Sequence, residues 1–241
     1  MSAYGAIARA ASGPLPSTTW LVRSKDPSAN PSVTLHHLTL QTARQQPGLV
    51  EYLHKVFADE LESGLTYPQE VGAASEYTED QFAAYYFAAD VIVAVASTSG
   101  SKDGADGEVS ALGFTAVVSG RSWEECIAGC YYVKPNYPGR SSHVGDVPRR
   151  VHLPFLGSTS QRGRGFGGAL ARSYLHYAPR LGYEASVFNL VYVNNVASVR
   201  LWEALGFEKA GRIPRAGRLK KADGSGEEFV DAWVFYKKFD S

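Results

Sequence analysis

The chain has 241 residues, of which 44% are hydrophobic and 20% charged, and its 24 basic and 24 acidic side chains give a formal net charge of zero. This composition is typical of a globular protein and gives no global argument for a nucleic-acid or membrane partner. No apolar run approaches the roughly 20 residues of a membrane-spanning helix. The two cysteines, Cys126 and Cys130, are too few for a disulfide framework or a metal site, so we expect reduced, buried thiols.

Residues 1–31 are rich in alanine, serine and proline, and we expect them to form a flexible N-terminal tail. Their first part is poor in acidic residues and carries Arg9 and Arg23, so a transit peptide is the alternative. Residues 32–241 show no internal repeat and no second block of composition. We therefore assign them to one domain.

The first elements of this domain are a strand and two helices. "SVTLHHLTL" (32–40) has the β-branched and leucine content of a strand. Residues 47–62 place their apolar side chains on one helical stripe, and Gly64 ends that helix. Thr78 and Gln81 form a capping box, which predicts the start of a second helix.

The middle of the chain combines strands with a solvated insertion. "DVIVAVAST" (90–98) is typical of a buried strand. We expect a family-specific inserted loop near 98–122, because its first part is rich in glycine, serine and aspartate. "ALGFTAVV" and "CIAGCYYV" are further strand candidates, and the latter would place Cys126 and Cys130 on the same face.

Strand and helix alternate in the C-terminal half. "GGALARSYLHYA" is predicted to be a helix, "EASVFNLVYV" a strand and "NVASVRLWEAL" a helix that Gly206 ends. "FEKAGRI" and "FVDAWVFYKKF" follow as two strands around a glycine-rich turn. The pattern predicts one mixed α/β domain.

The stretch "QRGRGFGGALARSYL" (161–175) places a glycine-rich loop at the start of a helix. An RNA-binding segment of the RGG type would need a repeated, disordered setting, and a dinucleotide fingerprint would need to follow the first strand of its unit. A phosphate loop fits better, because glycines let backbone N–H groups turn toward an anion at a helix N-terminus. No acidic residue lies between Asp146 and Glu184. That window contains the arginines Arg149, Arg150, Arg162, Arg164, Arg172 and Arg180.

Two motifs in register resemble a known superfamily. "RGRGFG" (162–167) is similar to the Arg/Gln-x-x-Gly-x-Gly/Ala signature of the GCN5-related N-acetyltransferases (GNAT). One strand later, "NVASVRLWEALGF" (195–207) resembles the superfamily's Asn-x-x-Ala…Leu-Tyr-x-x-x-Gly-Phe segment. The resemblance covers residues 35–239, and the order and spacing of the two motifs make it more specific than either alone.

A narrower resemblance is carried by five loop and strand segments. They are similar to the fungal GNAT subfamily that includes the proline-analogue (azetidine-2-carboxylate) N-acetyltransferases. The segments are "ESGLTYPQE", "YYVKPNYPGRSSH", "HYAPRLGY", "SVFNLVYVNNVAS" and "IPRAGRL".

The resemblance implies the GNAT fold and an acetyl-CoA site. It implies one mixed, mostly antiparallel sheet of about six to seven strands, splayed in the middle and flanked by helices on both faces. Acetyl-CoA would enter between two diverging parallel strands, along a strand that carries Phe155 and Leu156. Asn195 holds the family's position near the cofactor, and no metal is implied. The pyrophosphate would meet the backbone of Arg162, Gly163, Arg164, Gly165, Phe166, Gly167 and Gly168.

The chain departs from the family at two positions. Trp202 stands where many members carry a tyrosine that is thought to protonate the leaving thiolate, so we expect it to be a packing residue or a wall of the cofactor slot. His152 stands where the subfamily has an asparagine, and Pro154 replaces a glycine. Either His152 is a titrating base, or residues 145–157 reflect a misassigned exon junction and are no working site.

The resemblance also suggests residues for the acceptor. Asn189 matches the subfamily's second asparagine beside the substrate and is our catalytic-site candidate together with His152. Further substrate-side candidates are Asn136, His143, Glu62 and Tyr67. The remaining histidines are expected at the surface or on helices: His36, His37, His54 and His176.

We therefore expect an acetyl-CoA-dependent N-acetyltransferase in which a neutral amine attacks the thioester directly. The expected acceptor is a small-molecule amine or a cyclic imino acid such as a proline analogue, and neither nucleic acid nor membrane is an expected partner. The alternatives are a catalytically impaired module that binds acyl-CoA and an enzyme that acetylates a peptide or a polyamine. The expected location is the cytoplasm, with the mitochondrion or the nucleus as alternatives, and a homodimer stays open.

Overall fold

The computed structural model describes residues 13–23, 32–65, 67, 76–98, 105–136, 143–146, 161 and 163–239. These residues form nine strands and seven helices. The strands are β1 (Thr18–Leu21), β2 (Ser32–Leu38), β3 (Asp90–Ala96), β4 (Glu108–Val109), β5 (Ile127–Pro135), β6 (Val144–Asp146), β7 (Ala185–Tyr192), β8 (Glu208–Lys220) and β9 (Glu227–Lys238). The helices are α1 (Leu40–Arg44), α2 (Leu49–Ser63), α3 (Glu79–Tyr86), α4 (Phe114–Val118), α5 (Trp123–Cys126), α6 (Phe166–Arg180) and α7 (Val196–Ala204).

The strands form one mixed sheet in the order β4-β1-β2-β3-β5-β6-β7-β9-β8. All described pairings are antiparallel except that of β6 with β7, which is parallel. The predicted mixed, mostly antiparallel α/β sheet is confirmed. It has nine strands rather than six or seven, because Thr18–Leu21 and Glu108–Val109 add β1 and β4 at one edge.

Helices cover both faces of the sheet, as predicted. Along β3, Val91, Val93 and Val95 pack in the cluster formed with α2 and α3. Ile92 and Ala94, which alternate with them, pack in the cluster formed with α6 and α7. A strand that is buried on both faces has no solvent-exposed face and needs no alternating polar residues. This explains why "DVIVAVA" is continuously apolar.

The expectation of a flexible tail over residues 1–31 is wrong for its later part. β1 pairs with β2 through Thr18–Leu35 and Leu21–Ser32. The ring of Trp20 is buried in the core beneath α6, at 6% exposure. The alanine, serine and proline residues around Trp20 give no strand prediction for this segment. The burial of one large aromatic ring nevertheless stabilises the docking of the four-residue strand.

Residues 105–109, within the expected inserted loop, are anchored to the sheet. β4 pairs with β1, and Asp106 just before it accepts a hydrogen bond from Arg172 Nε of α6 at 2.6 Å. The N–H of Leu21 donates to the same carboxylate at 2.9 Å. Burial alone would raise the pKa of Asp106, but the hydrogen bonds from Arg172 and Leu21 outweigh it and lower that pKa.

Two further expectations are corrected in this region. "ALGFTAVV" is not a strand: Gly113 is the N-cap of the short helix α4, and the Phe114 ring packs against Trp123. Cys126 ends α5 while Cys130 lies in β5, so the two cysteines do not share a strand. Both are buried free thiols, as predicted.

His36 and His37 lie buried in β2, not at the surface. Neighbouring strands and helices cover both faces of this strand, so the rule that polar side chains alternate outward does not apply. The N–H of Leu15 donates to His37 Nδ1 at 2.9 Å, which places the ring proton on Nε2, 2.8 Å from Asp90 Oδ1. Ser17 Oγ lies 2.8 Å from His36 Nδ1. The two histidines thus fasten the segment before β1 to the sheet.

Candidate functional site

The glycine-rich loop lies at the N-terminus of α6. Gly163 and Gly165 have left-handed backbone torsions, with φ of +77° and +85°. Gly165 is the N-cap of this 15-residue helix and, as a glycine, has no side chain with which to cap it. The first N–H groups of a helix have no partner inside it, so those of Phe166, Gly167 and Gly168 form a row of donors that the N-cap residue leaves uncapped. The Phe166 side chain, buried at 3% exposure, anchors this end of the helix in the core.

Gln161 braces the loop, a role that the sequence reading missed. Its Nε2 donates to the carbonyls of Glu124 and Glu125 at 3.1 and 3.0 Å. Its Oε1 accepts from Arg164 Nη1 at 2.9 Å. The guanidinium of Arg164 also lies 5.6 Å from the ring centre of Phe166. Gln161 therefore fixes the loop to α5 and orients the arginine beside the uncapped donors.

Other arginines of the acid-free window serve elsewhere. Arg172 binds Asp106 and the carbonyl of Leu21, to which its Nη2 donates at 2.6 Å. Arg180 donates to the carbonyl of His176 at 2.8 Å. Among the described arginines of this window, Arg164 is the one held at the loop.

The short strand β6 joins the two halves of the sheet. β6 pairs antiparallel with β5 through Lys134–Asp146 and Pro135–Gly145. It pairs parallel with β7 through Val144–Ala185 and Gly145–Ser186. Among the described residues, the strand pairing between β5 and β7 runs through the three residues of β6. The parallel pair brackets the glycine loop and α6 in the chain, which is where the resemblance expects the cofactor between diverging strands.

The structure brings together two of the predicted acceptor residues. The register of β7 with β9 shifts between Phe188 and Val191, and Asn189 lies in this irregularity. Its Nδ2 donates to Oδ1 of Asn136, just after β5, at 2.8 Å. Nδ2 of Asn136 is buried and has no hydrogen-bond partner within the described part of the chain. The pair therefore presents a desolvated amide donor beside the junction of the two half-sheets.

Three other substrate candidates lie in different surroundings. The Tyr67 ring, 4% exposed, packs edge-on against Phe57 at 5.2 Å in the α2–α3 core cluster. Glu62 is exposed near the end of α2, and its carbonyl accepts from Lys220 Nζ at 2.9 Å. His143 is exposed, and its carbonyl accepts from the N–H of Glu184 at 2.9 Å.

The second motif is a capped helix with a packed tryptophan. Asn195 is the N-cap of α7, and its Oδ1 accepts from the N–H of Ser198 at 3.1 Å. Trp202 is 1% exposed, with its ring centre 4.4 Å from that of Phe188 and 4.9 Å from that of Phe207. Its Nε1 is buried and lacks a hydrogen-bond partner among the described residues. The tryptophan is therefore a packing residue.

Four predicted site residues, His152, Phe155, Leu156 and Arg162, lie outside the described residues. Within the described ranges, no group of three or more His, Cys, Asp and Glu side chains could hold a metal ion. None of the helices in those ranges combines the length and hydropathy that a bilayer crossing requires.

Comparison with known sequences gives a consistent result. The sequence profile of the Acetyltransferase (GNAT) family matches residues 54–207. The N-acetyltransferase aca1 of Schizosaccharomyces pombe is 39% identical over 183 residues, which are 76% of each chain. Protein SPT10 of Saccharomyces cerevisiae is 37% identical over 117 residues, which are 48% of this chain and 17% of that protein.

Solved structures agree at the level of the fold. A GCN5-related N-acetyltransferase from Kribbella flavida has a TM-score of 0.57 at 22% identity, covering 85% of this chain and 97% of the other. The yncA protein of Salmonella typhimurium, solved with its cofactor acetyl-CoA, has a TM-score of 0.51 at 13% identity, with 87% and 95% covered. At these identities the likeness is one of overall fold.

Proposed function

Because the chain belongs to the Acetyltransferase (GNAT) family, and is therefore an acetyl-CoA-dependent acyltransferase, we propose that its acceptor is the nitrogen of a small molecule. A cyclic imino acid, such as a proline analogue, is the proposed acceptor. The loop and strand segments that resemble the proline-analogue acetyltransferases support this choice. The 39% identity to a protein named as an N-acetyltransferase supports nitrogen as the accepting atom.

The residues at the start of α6 fit a bound acetyl-CoA. A Cβ built at Gly163 would meet no atom of the described residues within 4 Å, which leaves room at the loop backbone for a large anion. The uncapped N–H groups of α6 and the guanidinium of Arg164 would hold the pyrophosphate. When bound, the cofactor supplies the acetyl group as an activated thioester.

Cysteine chemistry is a poor alternative to direct attack by the acceptor. Burial raises the pKa of Cys130 to about 12, although the Tyr86 hydroxyl lies 3.2 Å from its Sγ. Burial also raises the pKa of Cys126. A thiol that stays protonated is a weak nucleophile. The proposal therefore has the neutral acceptor nitrogen attack without a covalent enzyme intermediate.

The observation that carries the acceptor proposal is the Asn136–Asn189 pair beside β6. The buried Nδ2 of Asn136 can donate a hydrogen bond to an oxygen of the acceptor. This bond would orient the acceptor's reacting nitrogen. A buried donor that finds its hydrogen-bond partner only when the acceptor is bound favours acceptors that carry such an oxygen.

The test is release of free CoA thiol from acetyl-CoA in the presence of a panel of acceptors. The panel contains azetidine-2-carboxylate and proline analogues, polyamines and short peptides, and mass spectrometry identifies the acetylated product. We expect turnover with the imino acids. Turnover confined to polyamines or peptides would contradict the proposed acceptor. Tight binding of CoA without turnover of any acceptor would instead support an impaired acyl-CoA-binding module.

A further inference from the structure

Lys220, the last residue of β8, is bonded to the end of α2. Its backbone N–H donates to the carbonyl of Gly64, the C-cap of α2, at 3.0 Å, and its Nζ donates to the carbonyl of Glu62 at 2.9 Å. A Cβ at Gly64 would lie 2.9 Å from Cδ of Lys220, so the lysine stem packs directly on this glycine. A cation at the C-terminus of a helix also meets the negative end of the helix dipole. The backbone, stem and ammonium of one lysine thus fasten β8 to α2.

This contact links the two halves of the sheet. α2 packs on β3 and β5, which belong to the first half, β4-β1-β2-β3-β5. β8 and β9 belong to the second half, where Leu219 and Val230 lie in a separate apolar cluster with Leu190 of β7. Strand pairing joins the halves through the three residues of β6. Lys220 therefore adds a second link between the halves, made through a helix end rather than through strand pairing.

A bulge in β8 precedes the contact. Between Ile213 and Gly217, three residues of β8 lie opposite the single residue Asp231 of β9. The middle one, Arg215, has a left-handed φ of +50°, and its N–H donates to Oδ1 of Asp231 at 2.7 Å. A bulge bends its strand and changes the direction of the residues beyond it. The bulge therefore sets the course of the last part of β8, which ends at Lys220.

The bond between Asn189 and Asn136 spans the same two halves. Asn189 belongs to β7, Asn136 follows β5, and Nδ2 and Oδ1 of the two amides are 2.8 Å apart. A small change in the spacing of the halves would lengthen this bond beyond hydrogen-bonding distance. Leu190, which follows Asn189, packs in one cluster with Leu219, which precedes Lys220. Movement of the hairpin would therefore reach Asn189 through closely packed side chains.

We propose that Lys220 is a positioning residue for the acceptor. It ties the β8–β9 hairpin to α2 and so holds the half-sheets at the spacing at which Asn189 bonds to Asn136. The inference rests on the proposed function, in which the buried Nδ2 of Asn136 donates to the acceptor. Without the tie the hairpin would adopt further positions, and the acceptor would bind only the fraction of molecules in which the pair is formed. The chemical step within those molecules would be unchanged.

The experiment compares Lys220→Met and Lys220→Pro with wild type and with the control Lys221→Met. Methionine keeps the unbranched stem without the ammonium. Proline also removes the N–H, which donates to Gly64 at the outer edge of the sheet, so no bond to β9 is lost. The control changes the adjacent lysine, whose N–H donates to Gly226 within the hairpin turn.

The expected result is a change in KM for the acceptor alone. We expect this KM to rise about 3-fold in Lys220→Met and about 10-fold in Lys220→Pro, with kcat and the Kd for CoA unchanged. Lys221→Met should behave as wild type. In the Asn189→Ala background, Lys220→Pro should change the acceptor KM by less than about 2-fold, because the bond that it protects is already absent. The inference is overturned if Lys220→Pro leaves KM unchanged, or if its effect adds to that of Asn189→Ala.

A measurement without turnover separates this inference from the proposed function. The side-chain amide resonances of Asn189, assigned in nitrogen–proton correlation spectra by comparison with Asn189→Ala, report its hydrogen bond in protein saturated with CoA. They should shift in Lys220→Pro and keep their positions in Lys221→Met. Unchanged resonances in Lys220→Pro would overturn the inference even where imino acids are acetylated. Shifted resonances would support the tie even where no imino acid is acetylated, and in that case only the proposed acceptor fails.

Discussion

The side-chain amide of Asn189 donates a hydrogen bond to that of Asn136, with Nδ2 and Oδ1 2.8 Å apart. The two residues are far apart in the chain and belong to different halves of the sheet, which β6 joins. The bond fixes the orientation of the Asn136 amide, because an amide whose oxygen accepts must direct its Nδ2 away from that donor. Asn189 is therefore a positioning residue for a donor that the proposed acceptor would meet.

The pair predicts a coupled effect on the acceptor. Asn136→Ala and Asn189→Ala should each raise the acceptor KM by about 10-fold, because the first removes a donor and the second frees its orientation. Steady-state kinetics of both variants and the double variant measure the coupling, expected at about 0.5–1.5 kcal/mol. The KM for acetyl-CoA serves as the internal control and should stay within about 2-fold. Purely additive effects would contradict a shared role.

The loop glycine predicts a loss of cofactor affinity. Gly163 and Gly224 have almost the same φ, +77° and +74°, and within the described part of the chain a Cβ at either would meet no atom within 4 Å. Gly163→Ala and Gly224→Ala should therefore lose similar amounts of stability, about 1 kcal/mol, from left-handed strain. Only Gly163→Ala should raise the Kd for CoA, by about 10-fold through a displaced phosphate contact. Calorimetric titration measures both, and equal CoA affinities would refute a phosphate role for the loop.

Substitution of Trp202 should change the stability of the protein but not its catalytic chemistry. Its buried Nε1 has no described partner, and indole is no acid at neutral pH. Trp202→Phe should keep kcat and its pH profile, whereas Trp202→Ala should lose about 3–5 kcal/mol of unfolding free energy through the cavity. Denaturant unfolding and a pH–rate profile are the measurements. A shifted pH profile in Trp202→Phe would show that the indole takes part in proton transfer.

His36 predicts a loss of stability in acid. Burial lowers its pKa from 6.5 to about 4, and Ser17 and the Phe114 ring face it. Between these pH values the unfolded chain binds a proton at His36 that the folded chain does not. The stability that neutral His36 contributes to the folded state is therefore fully present above pH 6.5. As the pH falls toward 4, the free energy of unfolding decreases by about 3 kcal/mol in total.

The measurement is urea unfolding of wild type and His36→Leu at several pH values across this window. The leucine variant cannot bind the proton, so its free energy of unfolding should fall less steeply with decreasing pH. Parallel curves for the two proteins would mean that His36 is protonated equally in the folded and unfolded states.

The sequence alone determined the elements whose signals are local. Apolar periodicity or unbroken apolar runs located α2, α6, α7, β3, β5 and β7, and the Thr78–Gln81 capping box is present at the start of α3. The two family motifs place the glycine loop at the N-terminus of α6 and the capping Asn195 one strand later. Such features need only neighbouring residues, since helix caps, left-handed glycines and strand alternation act within a few positions.

The tertiary structure alone decided what depends on distant partners. β1 docks on the sheet because Trp20 packs in the core with residues of α6. His36 and His37 are buried because helices cover both faces of β2. The placement of Lys134 over Tyr85 depends on how α3 packs on β5. The bond from Asn189 to Asn136 joins residues 53 positions apart in the chain. Contacts of this kind are set by how strands and helices assemble, and periodicity along the chain carries no information about them.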